Sequence, residues 1–269
     1  ILENINSPED VKKLVHEELN LLSGEIREAL LHRLSDHGGH FGPNFGMVEA
    51  TIALHYVFNS PEDKIVFDVS HQSYPHKMLT GRKDAYLYPE KSMTCRATPS
   101  RRKAHTTISS SAIPPPQSAW PEDWPKAVPE RRKGNVIAVI GDGSLSGGEA
   151  FEGLDYAGEL GTNFIIVVND NQMSIAENHG GLYRNLQELR ESQGTCPCNF
   201  FKAMGLDYLY VDQGNDIGSL ISAFQKVKNI DTRRGTHQHP ERQGIPPGRR
   251  TQGAMALCAP FVIETGEPR

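Results

Sequence analysis

Two unbroken apolar runs constrain the fold of this 269-residue chain more than any other feature. They are Asn135–Ile140 and Asn163–Val168, and in neither run do apolar and polar residues alternate. A strand without such alternation is buried on both faces, which is typical of a parallel sheet covered by helices. Shorter β-rich runs over Lys64–Val69 and Tyr208–Val211 predict two more strands.

Helical patterns occupy the stretches between these strands. The first helical region begins at a Ser7-Pro8 start signal and ends at Gly38-Gly39. The alternation of strands and helices predicts an α/β fold, a doubly wound, mostly parallel sheet with helices on both faces. The predicted helices are Leu14–Leu34, Met47–Phe58, Gly147–Leu160 and Ile217–Val227.

The composition excludes several classes of protein. With 37% hydrophobic and 23% charged residues, the chain is not collagen, a coiled coil or an acidic disordered tail. No apolar run reaches the roughly 18 residues that a membrane helix needs, and no signal-peptide pattern opens the chain. Its 4 cysteines are too few for a disulfide scaffold, so we expect a cytoplasmic protein.

Polar clusters follow the two unbroken strands. Gly141-Asp142-Gly143-Ser144 follows the first strand, and Asn169-Asp170-Asn171 follows the second. The carboxyl ends of parallel strands meet at one edge of a sheet, where open α/β folds bind ligands. Carboxylate and amide oxygens suit Mg²⁺, and the start of the following helix suits a phosphate. The residues therefore predict a site for a Mg²⁺-bound diphosphate.

Two other interpretations of these clusters stay open. Each cluster alone is also consistent with a simple polar turn. A dinucleotide site is a second possibility, because Gly141-x-Gly143 opens a helix, although the third glycine is displaced and Asp142 would repel a bare pyrophosphate. A P-loop is excluded, because no Lys-Ser/Thr pair follows Gly148.

A series of motifs stands out along the chain, namely Gly38–Glu49, Ala53–Val57, Asp68–Lys77, Leu79–Arg82, Gly141–Ser144 and Asn169–Ile175. Together they resemble the 1-deoxy-D-xylulose-5-phosphate synthase family of the transketolase superfamily. The resemblance covers about residues 1–91 and 134–231. The chain departs from the family pattern at Ser70, where glycine is usual, and at Gln172, where glutamate is usual.

The resemblance implies a thiamine diphosphate site with bound Mg²⁺. His40 would be the catalytic residue, beside the reacting carbon, where it would shuttle protons. His71 would contact the cofactor. The other implied residues are Asp142, Asn171 and the Met173 carbonyl as Mg²⁺ ligands, with Gly143, Ser144 and Asn171 lining the cofactor.

The resemblance also implies a function. Such an enzyme is a transferase that condenses pyruvate with D-glyceraldehyde 3-phosphate, with loss of CO₂, through a carbanion on the cofactor. The product feeds isoprenoid and thiamine synthesis. The full-length enzyme would be a homodimer that acts on small molecules and binds neither nucleic acid nor membranes.

The family's chains are over twice this length, and their second domain supplies the glutamate that activates the cofactor. We therefore expect this chain alone to be inactive. Two alternatives remain: the small subunit of a split transketolase, and a non-catalytic thiamine-diphosphate-binding fragment or gene remnant.

Two basic, proline-rich segments interrupt this organisation. We assign residues 1–258 to one cofactor-binding domain and 259–269 to the start of an interdomain linker. Within the domain, about 92–133 and 232–258 show no helical or strand period, and the first holds eight Lys/Arg against three acidic residues. Disordered loops or nucleic-acid patches are the ordinary interpretations of such composition.

A frameshift is our hypothesis for both segments. Two family motifs, Gly-His-Ser/Thr-Ser-Thr-Ser and Lys-Gly-Lys-Gly-Tyr, are missing where these segments stand. Ser111–Ser118 and Gln238–Ile245 can each be encoded so that a neighbouring frame reads the missing motif. We therefore expect little regular structure in these segments and a sheet that is short of one strand, and the nucleic-acid interpretation loses its support.

Overall fold

A computed structural model of the chain describes residues 1–94, 134–159, 164–172, 178–228, 236–240 and 263. Its centre is a five-stranded sheet with the strand order β1-β2-β3-β5-β4, in which every neighbouring pair is parallel. The predicted parallel sheet and its four predicted strands are confirmed. The strands are β1 Lys64–Phe67, β2 Val136–Gly141, β3 Phe164–Asp170, β4 Tyr208–Tyr210 and β5 Thr236–Pro240.

Strand β5 corrects one expectation. We expected the sheet to lack a strand in the second basic segment, but Thr236–Pro240 pairs in parallel with both β3 and β4. Strand pairing uses backbone groups, so a run such as Thr-His-Gln-His-Pro can pair without the apolar pattern on which sequence prediction depends. Residues 95–133, 229–235 and 241–258 lie outside the described residues, and the frameshift hypothesis that rests on them stays a prediction.

Helices connect the strands. The first predicted helical region is two helices, because the chain turns at residues 12–15 between Val11 and His16. The other predicted helices are confirmed to within one residue at each end. The α-helices are α1 Pro8–Val11, α2 His16–His37, α3 Gly42–Phe45, α4 Val48–Val57, α5 Tyr74–Lys77, α6 Asp84–Leu87, α7 Asp142–Leu145, α8 Gly148–Glu159, α9 Gly181–Glu191, α10 Phe200–Ala203 and α11 Ile217–Val227.

Both faces of the sheet are covered, as the unbroken apolar strands predicted. Side chains alternate along each strand, so Ile137 and Val139 of β2 join the core formed with α4 and α11. Ala138 and Ile140, which alternate with them, join the opposite core, formed with α8 and α9. The sheet therefore lies between two helical layers.

Helix α2 forms a further layer outside α4. Its side chains Ile26, Leu30 and Leu34 are fully buried against α4 and the segment that follows β1. This packing holds the turn after α2, which carries His40, close to the turn after β1, which carries His71. Among the described residues, no helix is both long enough and apolar enough to cross a membrane.

Candidate functional site

The carboxyl ends of β1, β2 and β3 lie side by side along one edge of the sheet. Phe67 at the end of β1 is level with Val139, and Gly141 at the end of β2 is level with Asn169. The His71 turn, the Asp142 turn and the Asn171 turn therefore leave neighbouring strands, which are about 4.8 Å apart in a sheet. The sequence prediction that these clusters share one sheet edge agrees with this register.

Asp142 is the first residue of α7 and follows β2 directly. Only 2% of the residue is exposed, and its Oδ2 accepts a hydrogen bond of 2.8 Å from Nδ2 of Asn178. A buried carboxylate is costly unless hydrogen bonds or a cation compensate it. The Asn178 amide supplies part of that compensation and fixes one carboxylate oxygen.

Gly143 and Ser144 continue the same turn, and both are half-buried. The Gly143 carbonyl accepts a hydrogen bond of 3.3 Å from Oγ of Ser146, and this hydroxyl also bonds to the Tyr183 hydroxyl at 2.9 Å. Tyr183 lies on α9, so this hydrogen bond joins α9 to the turn that follows β2.

Asn171 follows β3 directly and is half-buried. Beside it, the buried carboxylate of Asp170 forms an ion pair with Arg190 of α9 and accepts a 3.2 Å hydrogen bond from the Gln172 backbone N–H. Helix α9 thus contacts both the turn that follows β2 and the last residue of β3. Met173, the third expected metal ligand, lies outside the described residues.

His40 and His71 come together at this edge of the domain. Their ring centroids are 5.3 Å apart, and the rings meet edge to face at 60°. His40 precedes α3 and His71 follows β1, so the pair joins segments that are 31 positions apart in the sequence. The structure therefore brings together two residues to which the family resemblance assigns neighbouring roles.

Burial makes both histidines weak bases. Desolvation lowers the pKa of His71 to about 4, and the nearby His40 ring adds to this effect. Desolvation and the charge of Lys77 lower the pKa of His40 as well. Both imidazoles are therefore neutral at pH 7, and Nδ1 of His71 is buried without a hydrogen-bond partner among the described residues.

The turn that carries His71 has an unusual backbone. Val69 and Ser70 have φ angles of 54° and 69°, in the left-handed region where a side chain is unfavourable. Ser70 stands where the resembling family usually has glycine, the residue that best tolerates this conformation. Gln172, the second departure, also has a left-handed φ of 61°.

Sequence reasoning missed three polar residues that support the site. Asn44 contacts the backbone of both histidines, Asn178 holds the Asp142 carboxylate, and Arg190 holds Asp170. Asn44 stands within the quoted Gly38–Glu49 motif, so its position was a possible signal. No sequence signal indicated Asn178 or Arg190, because their contacts with Asp142 and Asp170 depend on how distant segments pack in the fold.

The donor set at the strand ends fits a hard cation such as Mg²⁺. It offers one buried carboxylate, from Asp142, and the amide oxygen of Asn171. The described residues contain no group of three or more His, Cys, Asp and Glu side chains arranged to hold a metal. Mg²⁺ commonly binds one or two protein carboxylates and completes its shell with phosphate oxygens and water.

Solved structures define the class of this fold. A transketolase from Campylobacter jejuni superposes with a TM-score of 0.67 over 91% of this chain and 41% of its own, at 15% identity. A transketolase from Leishmania mexicana gives a TM-score of 0.65 over 92% of this chain and 40% of its own, also at 15% identity. The domain therefore has the transketolase fold.

Sequence comparison identifies the family. The family described as 1-deoxy-D-xylulose-5-phosphate synthase matches residues 2–197. The 1-deoxy-D-xylulose-5-phosphate synthase 1 of Geobacter metallireducens is 34% identical to this chain over 315 residues, and the match covers 99% of this chain and 49% of the relative. The protein of the same name from Streptomyces coelicolor is 37% identical over 268 residues, and the match covers 86% of this chain and 41% of the relative.

The chain belongs to the 1-deoxy-D-xylulose-5-phosphate synthase family, as the resemblance predicted. It spans about half the length of the curated relatives that it matches. Enzymes of this family are transferases that use thiamine diphosphate with a divalent metal such as Mg²⁺.

Proposed function

We propose that this chain is the cofactor-binding part of a 1-deoxy-D-xylulose-5-phosphate synthase and that it holds thiamine diphosphate with Mg²⁺. The observation that carries the proposal is the shared sheet edge. Buried Asp142, the Asn171 turn and His71 all follow the carboxyl ends of neighbouring parallel strands, and His40, in the turn between α2 and α3, lies against the His71 ring.

In this proposal Asp142 and Asn171 bind the metal, with the Met173 carbonyl as the third protein ligand. Gly143 and Ser144 line the diphosphate, where a small residue and a hydroxyl leave room for phosphate oxygens and can bond to them. Asn178 orients the Asp142 carboxylate through its 2.8 Å hydrogen bond. Such supporting contacts fix the direction in which a ligand presents its oxygens.

Thiamine diphosphate supplies the carbon nucleophile and electron sink of the reaction, and the protein supplies binding and proton transfer. His40 and His71 are neutral at pH 7, because burial lowers the pKa of both rings. A neutral imidazole can accept a proton at one nitrogen and donate one at the other. We assign proton transfer with the substrate carbonyl to His40 and a cofactor contact to His71, whose buried Nδ1 has no partner among the described residues.

The complete enzyme would condense pyruvate with D-glyceraldehyde 3-phosphate and release CO₂, as a homodimer in the cytoplasm. This chain spans 49% of its Geobacter metallireducens relative, so the remainder of the full enzyme would complete the catalytic cleft. Cofactor binding, rather than turnover, is accordingly the activity that we assign to this chain.

Calorimetric titration of the purified chain with thiamine diphosphate tests the proposal. We expect binding in the presence of Mg²⁺ and its loss when EDTA removes the metal, because Asp142 and Asn171 would hold the metal and the metal would neutralise the diphosphate charge. Thiamine, which lacks the diphosphate, is the matched control ligand and should bind far more weakly. Equal affinity for thiamine and thiamine diphosphate would contradict the proposed site.

A further inference from the structure

Asn44 is buried between the two segments that carry the histidine pair. It lies on α3, and none of its surface is exposed. Its Nδ2 group donates to the backbone carbonyls of His40 and His71, each at 2.7 Å. Its Oδ1 accepts from the Tyr74 backbone N–H at 2.8 Å. Both amide protons and the carbonyl oxygen are therefore engaged.

These bonds join segments that have no strand or helix in common. His40 stands in the turn between α2 and α3, and His71 stands in the turn between β1 and α5. Asn44 bonds directly to the backbone of each histidine at short distances, from a side chain with no exposed surface. Hydrogen bonds of a buried amide are costly to break, because the amide left behind is desolvated.

The His71 turn needs such a restraint. The two residues before His71, Val69 and Ser70, hold left-handed φ angles of 54° and 69°. Side chains make that conformation unfavourable, and it persists only where surrounding contacts fix it. Asn44 bonds to the backbone of His71 and of Tyr74, both of which come after the strained Val69-Ser70 pair in the sequence. These bonds fix the chain where it leaves that pair.

We propose that Asn44 is a positioning residue, which sets the edge-to-face arrangement of the His40 and His71 rings by holding both backbones at once. The positioning role follows from the hydrogen bonds and the ring geometry alone. The importance of that role for cofactor binding rests on the function proposed above. Because a displacement of 1 Å can cost about a hundredfold in catalysis, a device that fixes two histidines is expected to matter for binding and reaction.

Asn44→Asp is the sharpest test. The substitution keeps the shape and the oxygen that accepts from Tyr74, but it leaves at most one donor, the O–H of a protonated carboxyl, for the two histidine carbonyls, so it cannot bond to both. Asn199→Asp is the matched control. Asn199 is 4% exposed and caps α10, where its Oδ1 accepts from the Lys202 backbone N–H at 3.1 Å, a bond that aspartate keeps, and α10 packs on the opposite face of the sheet from α4.

The primary measurement is the nuclear Overhauser effect between the His40 and His71 ring protons, recorded without cofactor. We expect it in the native chain and in Asn199→Asp, and we expect its loss in Asn44→Asp. A folded Asn44→Asp chain that keeps the inter-ring effect would overturn the proposal.

Two further measurements keep the test decisive. If Asn44→Asp does not fold, Asn44→Ser, which retains one donor, replaces it and should weaken the inter-ring effect. In the native chain, the Asn44 side-chain amide protons should exchange slowly with solvent, and fast exchange would contradict the two hydrogen bonds that this buried amide donates.

Thiamine diphosphate affinity then separates this proposal from the function on which it rests. We expect Asn44→Asp to bind the cofactor about tenfold to a hundredfold more weakly than the native chain, the loss seen for partners that orient ligands. If the native chain binds no cofactor, the proposed function fails. The ring-proton measurement still decides the role of Asn44, because it needs no ligand.

Discussion

A second buried histidine pair predicts that the fold is sensitive to acid. His55 of α4 and His76 of α5 are both fully buried, and Nε2 of His55 lies 2.9 Å from Nδ1 of His76. One nitrogen of this bond must be protonated while the other keeps its lone pair. Protonation of both rings would remove the bond and place two like charges in the core.

The magnitude follows from the pKa of His55. Burial, with smaller effects from the charges of Lys12 and Arg82, lowers that pKa from 6.5 to about 3. Burial also lowers the pKa of His76 well below its usual value. A folded-state pKa below the unfolded value means that the stability is fully present above pH 6.5 and is lost as the pH falls toward 3. Between pH 7 and pH 5, His55 alone should cost about 2 kcal/mol of unfolding free energy.

Urea unfolding of the native chain and of His55→Gln at pH 7 and pH 5 measures this cost. Few carboxylates change their charge in that window, since their ordinary pKa values lie near 4. His55→Gln should be less stable at pH 7, yet its stability should fall by about 2 kcal/mol less on acidification. Leu54→Ala, at a fully buried neighbour on the same helix, is the control and should keep the native pH dependence. Identical pH dependence in the native chain and His55→Gln would refute the reasoning.

Three further outcomes are expected. Asn178→Ala should weaken Mg²⁺-dependent binding of thiamine diphosphate about tenfold in calorimetry, because the substitution removes the hydrogen bond that orients the Asp142 carboxylate. Unchanged affinity would show that Asn178 does not orient that carboxylate. Val69→Gly should raise the unfolding free energy by about 1 kcal/mol, because it relieves a left-handed φ of 54° at a side chain that is 61% exposed. Val15→Gly, at a 58% exposed valine with φ of −82°, should bring no gain, and equal effects in urea unfolding would contradict the strain argument. The chain alone should form no deoxyxylulose phosphate from pyruvate and glyceraldehyde 3-phosphate, and measurable product in a chromatographic assay would show that this half suffices.

The main architecture could be predicted because burial leaves a strong periodic signal. Strand β2 is apolar throughout and β3 is apolar as far as Val168, since helices cover both of their faces. Strand β5 left no such signal in Thr236–Pro240, so it was missed. The end of β1 at Phe67, two residues earlier than predicted, reflects the left-handed Val69 and Ser70, whose backbone angles the apolar pattern does not encode.

The candidate site could be predicted only in part, for a related reason. Asp142 and Asn171 follow strands directly, so strand order alone brings them to one edge. The contacts of Asn44 and Asn178 depend on how distant segments pack, and a single polar residue carries no sequence period that would reveal its partner. The His55–His76 pair was hidden for the same reason, since the two residues are 21 positions apart.

Mg²⁺-dependent binding of thiamine diphosphate by the native chain and by Asp142→Ala tests the central claim most directly. Calorimetry should show binding by the native chain and none by Asp142→Ala, because Asp142 is the only proposed metal ligand with a full negative charge. Circular dichroism should show that the variant keeps its fold, since Asp142 follows the end of β2 and lies outside the apolar clusters of the sheet. Unchanged affinity in a folded Asp142→Ala chain would contradict the account.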